Sequence, residues 1–144
     1  MSLQGVITVS EEMIDALEVQ AESAANRRAR LCLHDNPAEA INEMILVMYR
    51  DSYIRPHRHP KWKSESYFVI RGEMDVMIYD DGGQVIKCIE MGPPGSGKVF
   101  HYRLSQPLWH TPIPKSEVVA FVEVFAGPFE KETDVQYANW APAE

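Results

Sequence analysis

Hydrophobic residues recur along this chain with two different periods. From Ser10 the spacing is helical: Met13, Ile14, Leu17 and Ala21 fall on one face. Ser10 is a natural N-cap, and Glu11 and Glu12 suit the positive end of a helix dipole. The pattern predicts a helix over about residues 10–25. After Asn26 the period becomes two. Arg28, Arg30, Cys32 and His34 alternate with Ala29, Leu31 and Leu33, as in a strand with one polar and one apolar face. Met44 to Tyr49 is a continuous apolar strand, and Glu65 to Arg71 and Met74 to Tyr79 are two more, separated by Gly72. Parity puts Tyr67, Val69 and Arg71 on the same face as Glu65, toward the interior. Asp80-Asp81-Gly82-Gly83 is a hairpin signal that returns through Gln84 to Ile89. Met91 to Gly97 is a loop, and Val99 to Leu104, Leu108 to Thr111 and Val118 to Phe125 complete the strands. Short strands punctuated by Gly, Pro and Asp point to an all-β sandwich or barrel. The tail after Gly127 is mixed, with Phe129, Tyr137 and Trp140 as anchors onto it.

Composition narrows the partners. The chain has 144 residues and a formal net charge of −7, which fits one domain. That charge argues against nucleic acid and against an anionic membrane surface, since both need a basic face. No apolar run approaches the ~20 residues of a membrane span. The opening residues, Met1 to Gly5, hold no basic start or apolar stretch, so a cytoplasmic protein is expected. Cys32 and Cys88 are isolated, and read as reduced, small hydrophobic residues.

Candidate chemistry concentrates in Arg55-Pro56-His57-Arg58-His59-Pro60 and the following Lys61-Trp62-Lys63-Ser64-Glu65. Proline on each side favours extended backbone, and in such a chain residues i and i+2 project together. Two imidazoles on one face, with the Glu65 carboxylate on the next strand, make a mixed nitrogen/oxygen set. Such a set suits one divalent ion of the Mn, Fe, Co, Ni or Zn group. Lys61 and Lys63, between these residues, read as exposed loop charges.

His57-x-His59, then Glu65, then Gly72 resembles the first motif of the cupin superfamily. The resemblance implies a cupin domain over residues 1–144, a jelly-roll barrel (double-stranded β-helix) with an N-terminal helix. It places the helix at about 10–25, the barrel at about 28–126 and a tail at 127–144. It also implies that His57, His59 and Glu65 bind the metal, and that a third histidine comes from a later motif. His110, in Pro107-Leu108-Trp109-His110-Thr111-Pro112, matches that position, with His101 as the rival. Asp51 stands where the family has a glycine, Pro114 stands where it has an asparagine, and the gap from HxH to Glu65 is one residue longer than the commonest form. Many cupins are dimers, so a homodimer is implied as well. Arg28 to Asp35, Tyr53 to Pro60, Gly127-Pro128-Phe129 and Trp140-Ala141-Pro142 are similar to the WbuC family of cupins. The genes of that family sit in bacterial O-antigen and surface-polysaccharide clusters.

The remaining candidates surround this centre. Tyr67, inward beside Glu65, is a candidate acid/base or orienting group. Arg28, Arg30 and His34 are candidate substrate-binding residues, because two guanidiniums near a metal favour a phosphate or carboxylate. Glu123, inside the apolar run Val118 to Phe125, is a candidate partner for one of the arginines. Trp109 reads as core. Three functions compete. The first is a metal-dependent isomerase or epimerase acting on an anionic sugar-type molecule in surface-polysaccharide metabolism. The second is an iron-dependent dioxygenase, and the third a non-catalytic module that binds a small molecule with the metal's help.

Overall fold

In the computed structural model, which describes residues 4–144, the helical periodicity becomes α1 (Glu11–Ser23), and the Ser10 side chain caps it by accepting from the Met13 N–H. Met1 to Leu3, part of the stretch on which the cytoplasmic expectation rests, lie outside the described residues. The strands are β1 (Arg28–Cys32), β2 (Ile41–Tyr49), β3 (His57–Arg58), β4 (Glu65–Arg71), β5 (Met74–Tyr79), β6 (Val85–Met91), β7 (His101–Leu104), β8 (Trp109–Pro114) and β9 (Val118–Ala126). The tail then forms a one-turn α2 (Lys131–Asp134) and a short β10 (Gln136–Tyr137).

These strands make two five-stranded antiparallel sheets, in the orders β1-β2-β9-β4-β7 and β10-β3-β8-β5-β6. The first sheet has two occupied faces. Its outer face carries Ile45, Val47 and Ala120, which pack with Ile14, Leu17 and Ala21 of α1. Ala29 and Leu31, the apolar face of β1, join that cluster. Burying Ile14 and Leu17 contributes roughly 1.5–3 kcal/mol each. The inner face meets the second sheet through Met48, Tyr67, Val69, Met74, Val76, Ile78 and Phe121.

Arg71 does not face the interior, contrary to its parity. The β4–β9 register shifts after Val69↔Phe121, so that Arg71 opposes Ala120, a residue of the helix-facing side. One irregular residue reverses the alternation. Arg71 Nη1 instead donates to Asp15 and Glu18 of α1, at 2.8 Å each.

Gly72 follows at once, with φ +76°. A Cβ there would lie 2.2 Å from the carbonyl oxygen of Val118. Gly72→Ala combines a left-handed backbone with a backbone clash and should cost about 3 kcal/mol of stability in denaturant unfolding. A loss under ~1 kcal/mol would show that this turn relaxes freely.

Candidate metal centre

The HxH segment forms β3 and the residues just after it. β3 is held on one side by β8, where His57 lies directly opposite His110, and on the other by β10, where Tyr137 pairs with His57. Glu65 is the first residue of β4, in the facing sheet. The fold thus brings together two histidines from one sheet, a third just past the end of β3, and a carboxylate from the other sheet. One potential donor atom from each of His57, His59, Glu65 and His110 lies within 4.8 Å of the others. His59, Glu65 and His110 are buried, Glu65 at 1% and His110 at 0% exposure.

Hydrogen bonds set the direction of each ring. His57 Nδ1 is 2.9 Å from the Arg55 carbonyl, His59 Nδ1 is 2.8 Å from the Asp134 carbonyl, and His110 Nδ1 is 2.9 Å from the Leu108 carbonyl. A carbonyl only accepts, so every Nδ1 must carry the proton. The three Nε2 atoms are left to turn inward. Those of His59 and His110 lie 2.8 and 3.0 Å from the same oxygen, Glu65 Oε2. The other oxygen, Oε1, accepts from the Tyr102 hydroxyl at 3.2 Å.

This arrangement needs positive charge at its centre: a metal ion, or in its absence a proton on His59, whose ring stands above its ordinary value because the lowering by burial is outweighed by the Glu65 carboxylate. Neutral imidazoles whose Nδ1 is protonated present lone pairs at Nε2, and lone pairs repel a carboxylate at such distances. Burial pushes His57 down to about 4, with the charge of His110 acting the same way, so its ring is neutral at physiological pH. Among the described residues its Nε2 meets no hydrogen-bond donor. Glu65 is held well below the usual carboxylate range: burial opposes this, but the His110 and His59 rings outweigh it. An ionised carboxylate and inward lone pairs are the ligand forms of these residues. Donors sharing one ion at ~2.1 Å lie roughly 3–4.2 Å apart, close to the span found here. The four residues fit a divalent metal.

The centre opens on a cavity of about 510 Å³ that His57, His59 and Tyr67 help to line. Arg28, Arg30 and His34 are on the same wall. Their placement follows from register: Arg28, Arg30 and Cys32 oppose Met48, Leu46 and Met44, and Met44 and Leu46 in turn oppose Glu123 and Phe121. Arg28 is bound to the Tyr53 carbonyl and to Glu144. The Arg30 side chain makes no hydrogen bond or ion pair among the described residues, and it is exposed at the mouth. His34 Nδ1 is 3.1 Å from the Glu43 N–H, which donates to it.

The remaining expectations divide: the preference for His110, the free thiols and the core reading of Trp109 hold, and the readings of Glu123, Lys63 and the cysteines' packing do not. His101 is exposed on β7, edge-on to Phe68 and away from the cluster, so His110 is the third histidine of the group. Glu123 forms no ion pair with either arginine, because Arg28 is taken by Glu144. Lys63 is not an exposed loop charge. Its side chain is 12% exposed, pairs with Asp134 at 3.6 Å, and donates to the Pro128 carbonyl. Cys32 and Cys88 are free but exposed, rather than packed as small hydrophobes. Trp109 is buried against Ala138 and Ala141, outside the cavity, and its Nε1 donates to Asp81.

Several contributors escaped the sequence. Tyr102 had a usable signal, since alternation in His101 to Leu104 sends Tyr102 and Leu104 inward. The Asp134 carbonyl and Glu144 had none, because both depend on where the tail docks.

The comparisons with known proteins bear on this architecture. A family model described as a domain of unknown function (DUF6016) matches residues 9–91. No curated protein matches the sequence. Among solved structures, protein SO0799 from Shewanella oneidensis is similar at TM-score 0.60 and 9% identity, over 75% of this chain and 72% of that one. An oxalate oxidase in complex with the substrate analogue glycolate is similar at TM-score 0.59 and 17% identity, over 80% of this chain. The match spans only 57% of that protein's length. A cupin 2 domain-containing protein from Halorhodospira halophila is similar at TM-score 0.54 and 18% identity, over 73% of this chain and 66% of that one. At these identities the likeness shows the fold.

Glu123 generates a test of the cavity's electrostatics. It is half-buried on the cavity wall, and burial, reinforced by the Glu65 charge, raises its carboxyl to about 8. A raised folded value leaves stability intact below the unfolded value of ~4.3 and removes it as pH climbs toward about 8. In metal-free protein, Glu123→Gln should match wild type near pH 4.5 and exceed it at pH 8 by about 2 kcal/mol, a figure discounted for cavity water. Equal stability at both pH values, measured by denaturant unfolding, would contradict this.

Proposed function

The chain belongs to the DUF6016 family and has the cupin fold, and we propose that it uses a bound divalent metal to act on an anionic sugar-type molecule in surface-polysaccharide metabolism, by isomerase- or epimerase-like chemistry. The observation that carries this reading is the convergence of His57, His59, His110 and Glu65 beside a cavity that also holds Arg28 and Arg30. The WbuC-like segments, Tyr53 to Pro60 above all, support the polysaccharide setting. The free thiols of Cys32 and Cys88 support a reducing compartment such as the cytoplasm.

His57, His59, Glu65 and His110 would hold one ion of the Mn, Fe, Co, Ni or Zn group. When bound, such an ion polarises a carbonyl or hydroxyl oxygen as a Lewis acid. The chain's own residues supply the rest. Arg28 and Arg30 stay charged at any physiological pH and pair with a carboxylate or phosphate, which orients the ligand. Burial, with the Glu65 charge, holds the Tyr67 hydroxyl well above its ordinary value, so it remains protonated and donates toward a ligand oxygen. Protonated Glu123, on the same wall, is a second proton donor or store. Phe121 and Phe125 on β9, with Leu46, keep this part of the cavity apolar, which strengthens each charge interaction within it.

Two measurements test the proposal. Purified protein should carry close to one transition-metal equivalent by elemental analysis. His57→Ala and His110→Ala should each weaken metal affinity at least ~100-fold and abolish the metal-dependent rise in melting temperature. Unchanged metal content in both variants would sink the centre. A thermal-shift screen of the metal-loaded protein should show sugar phosphates or nucleotide sugars stabilising wild type, with the effect lost in Arg30→Ala while metal content is unchanged. Oxygen uptake by iron-loaded protein in the presence of such a ligand would favour the dioxygenase instead.

A further inference from the structure

Arg28 and Glu144 make a contact that the cavity's proposed role does not explain. Arg28 Nη1 donates to the Tyr53 carbonyl at 2.9 Å, which fixes the guanidinium, and Nη2 donates to Glu144 Oε2 at 2.9 Å. The second oxygen of the same carboxylate, Oε1, accepts from the backbone N–H of Arg55 at 2.9 Å. One carboxylate therefore has a charged donor on one oxygen and a backbone donor on the other. The Arg28 and Glu144 side chains are 21% and 35% exposed, and both line the cavity that His57 lines.

Arg55 ties this pair of donors to the metal centre. Its N–H holds Glu144, while its carbonyl holds His57 Nδ1. Arg55 and His57 are two residues apart, so the pair of donors and the histidine cluster border one short stretch of chain. Partial burial would raise the Glu144 carboxyl, but the Arg55 N–H and the Arg28 guanidinium keep it below its ordinary value, so it sits there as the anion.

The tail does not need Glu144 to stay in place. Tyr53 donates its hydroxyl to the Pro142 carbonyl at 2.9 Å, the Arg55 guanidinium donates to the Ala138 carbonyl at 2.7 and 3.0 Å, and Trp140 and Ala141 pack beside Trp109. Glu144 is free to leave a docked tail.

We propose that Arg28 and the Arg55 N–H form a carboxylate-binding subsite, which Glu144 fills until the carboxylate of a ligand displaces it. The proposal rests on the reading of the cavity as an anion site and narrows it: the ligand carries a carboxylate, with an oxygen function directed toward the histidine cluster. Glu144 then acts as a tethered competitor. A short tether gives an effective concentration of about millimolar or more, and it weakens the apparent affinity of a free carboxylate by one plus the ratio of that concentration to Glu144's own intrinsic Kd, a factor of at least about two where Glu144 fills the subsite.

Acetate is the probe, and the Arg55 amide resonance of ¹⁵N-labelled, metal-free full chain is the readout. In Glu144→Ala and Glu144→Gln, acetate should shift this resonance with an apparent Kd at least ~2-fold lower than in wild type. Adding Arg28→Gln to Glu144→Ala should abolish the response. Equal Kd values in wild type and both Glu144 variants would overturn the proposal, and so would an undiminished response without Arg28. Because no metal is present, a failure here leaves the histidine centre standing. Protein that answers to acetate but binds no metal would sink the centre alone.

Discussion

The arrangement depends on one buried carboxylate. Glu65 lies between the two sheets at 1% exposure, and an ionised side chain there is tolerable only if both oxygens are satisfied. Tyr102 serves one oxygen, and His59 and His110 crowd the other. That requirement couples distant parts of the chain. Glu65 comes from one sheet and His110 from the other, so sheet packing must bring them together, and β3 must pair with β8 to set His57 opposite His110. The backbone carbonyls that hold the rings lie on Arg55, Leu108 and Asp134. The last of these makes the tail part of the centre. Lys63, paired with buried Asp134, lies on the loop between His59 and Glu65 and ties that loop to the tail.

The cavity extends the same logic outward. Alternation along β1, β2, β9 and β4 sends one residue in two into the barrel, and the inward set grades from apolar to charged toward β1. Met48, Val69 and Val119 close one region, Tyr67 and Glu123 stand near the centre, and Arg28 and Arg30 border the mouth. In a chain of net charge −7, two guanidiniums thereby stand on the cavity wall, Arg28 paired with Glu144 and Arg30 without an ion pair among the described residues. Long-range charge argues for repulsion of anions, while a guanidinium acts at contact range, within a Debye length of about 8–10 Å.

The parts of this architecture that sequence reveals are those governed by local periodicity. The α1 pattern ends within two residues of its expected limit, and the His57/His59 pair and the polar face of β1 follow from alternation alone. Arg71 shows where alternation breaks: the irregularity after Val69 leaves no mark in composition, yet it turns the side chain from the barrel to α1. Nonlocal docking defeats sequence more thoroughly. β10 is two residues long and exists because β3 offers it an edge, and neither the capture of Lys63 by Asp134 nor the seating of Glu144 on Arg28 has a periodic signature. The choice of His110 over His101 is intermediate, since flanking residues favour it but only the pairing with β3 places it in the cluster.

The claim at the centre is that three imidazoles and one carboxylate share a single metal ion. Zinc-edge X-ray absorption of protein loaded with one equivalent of zinc reads that shell directly. Nitrogen and oxygen scatterers at ~2.0–2.2 Å with the outer-shell signature of three imidazoles are expected. A shell of oxygens alone, or one imidazole with the rest oxygen, would contradict it.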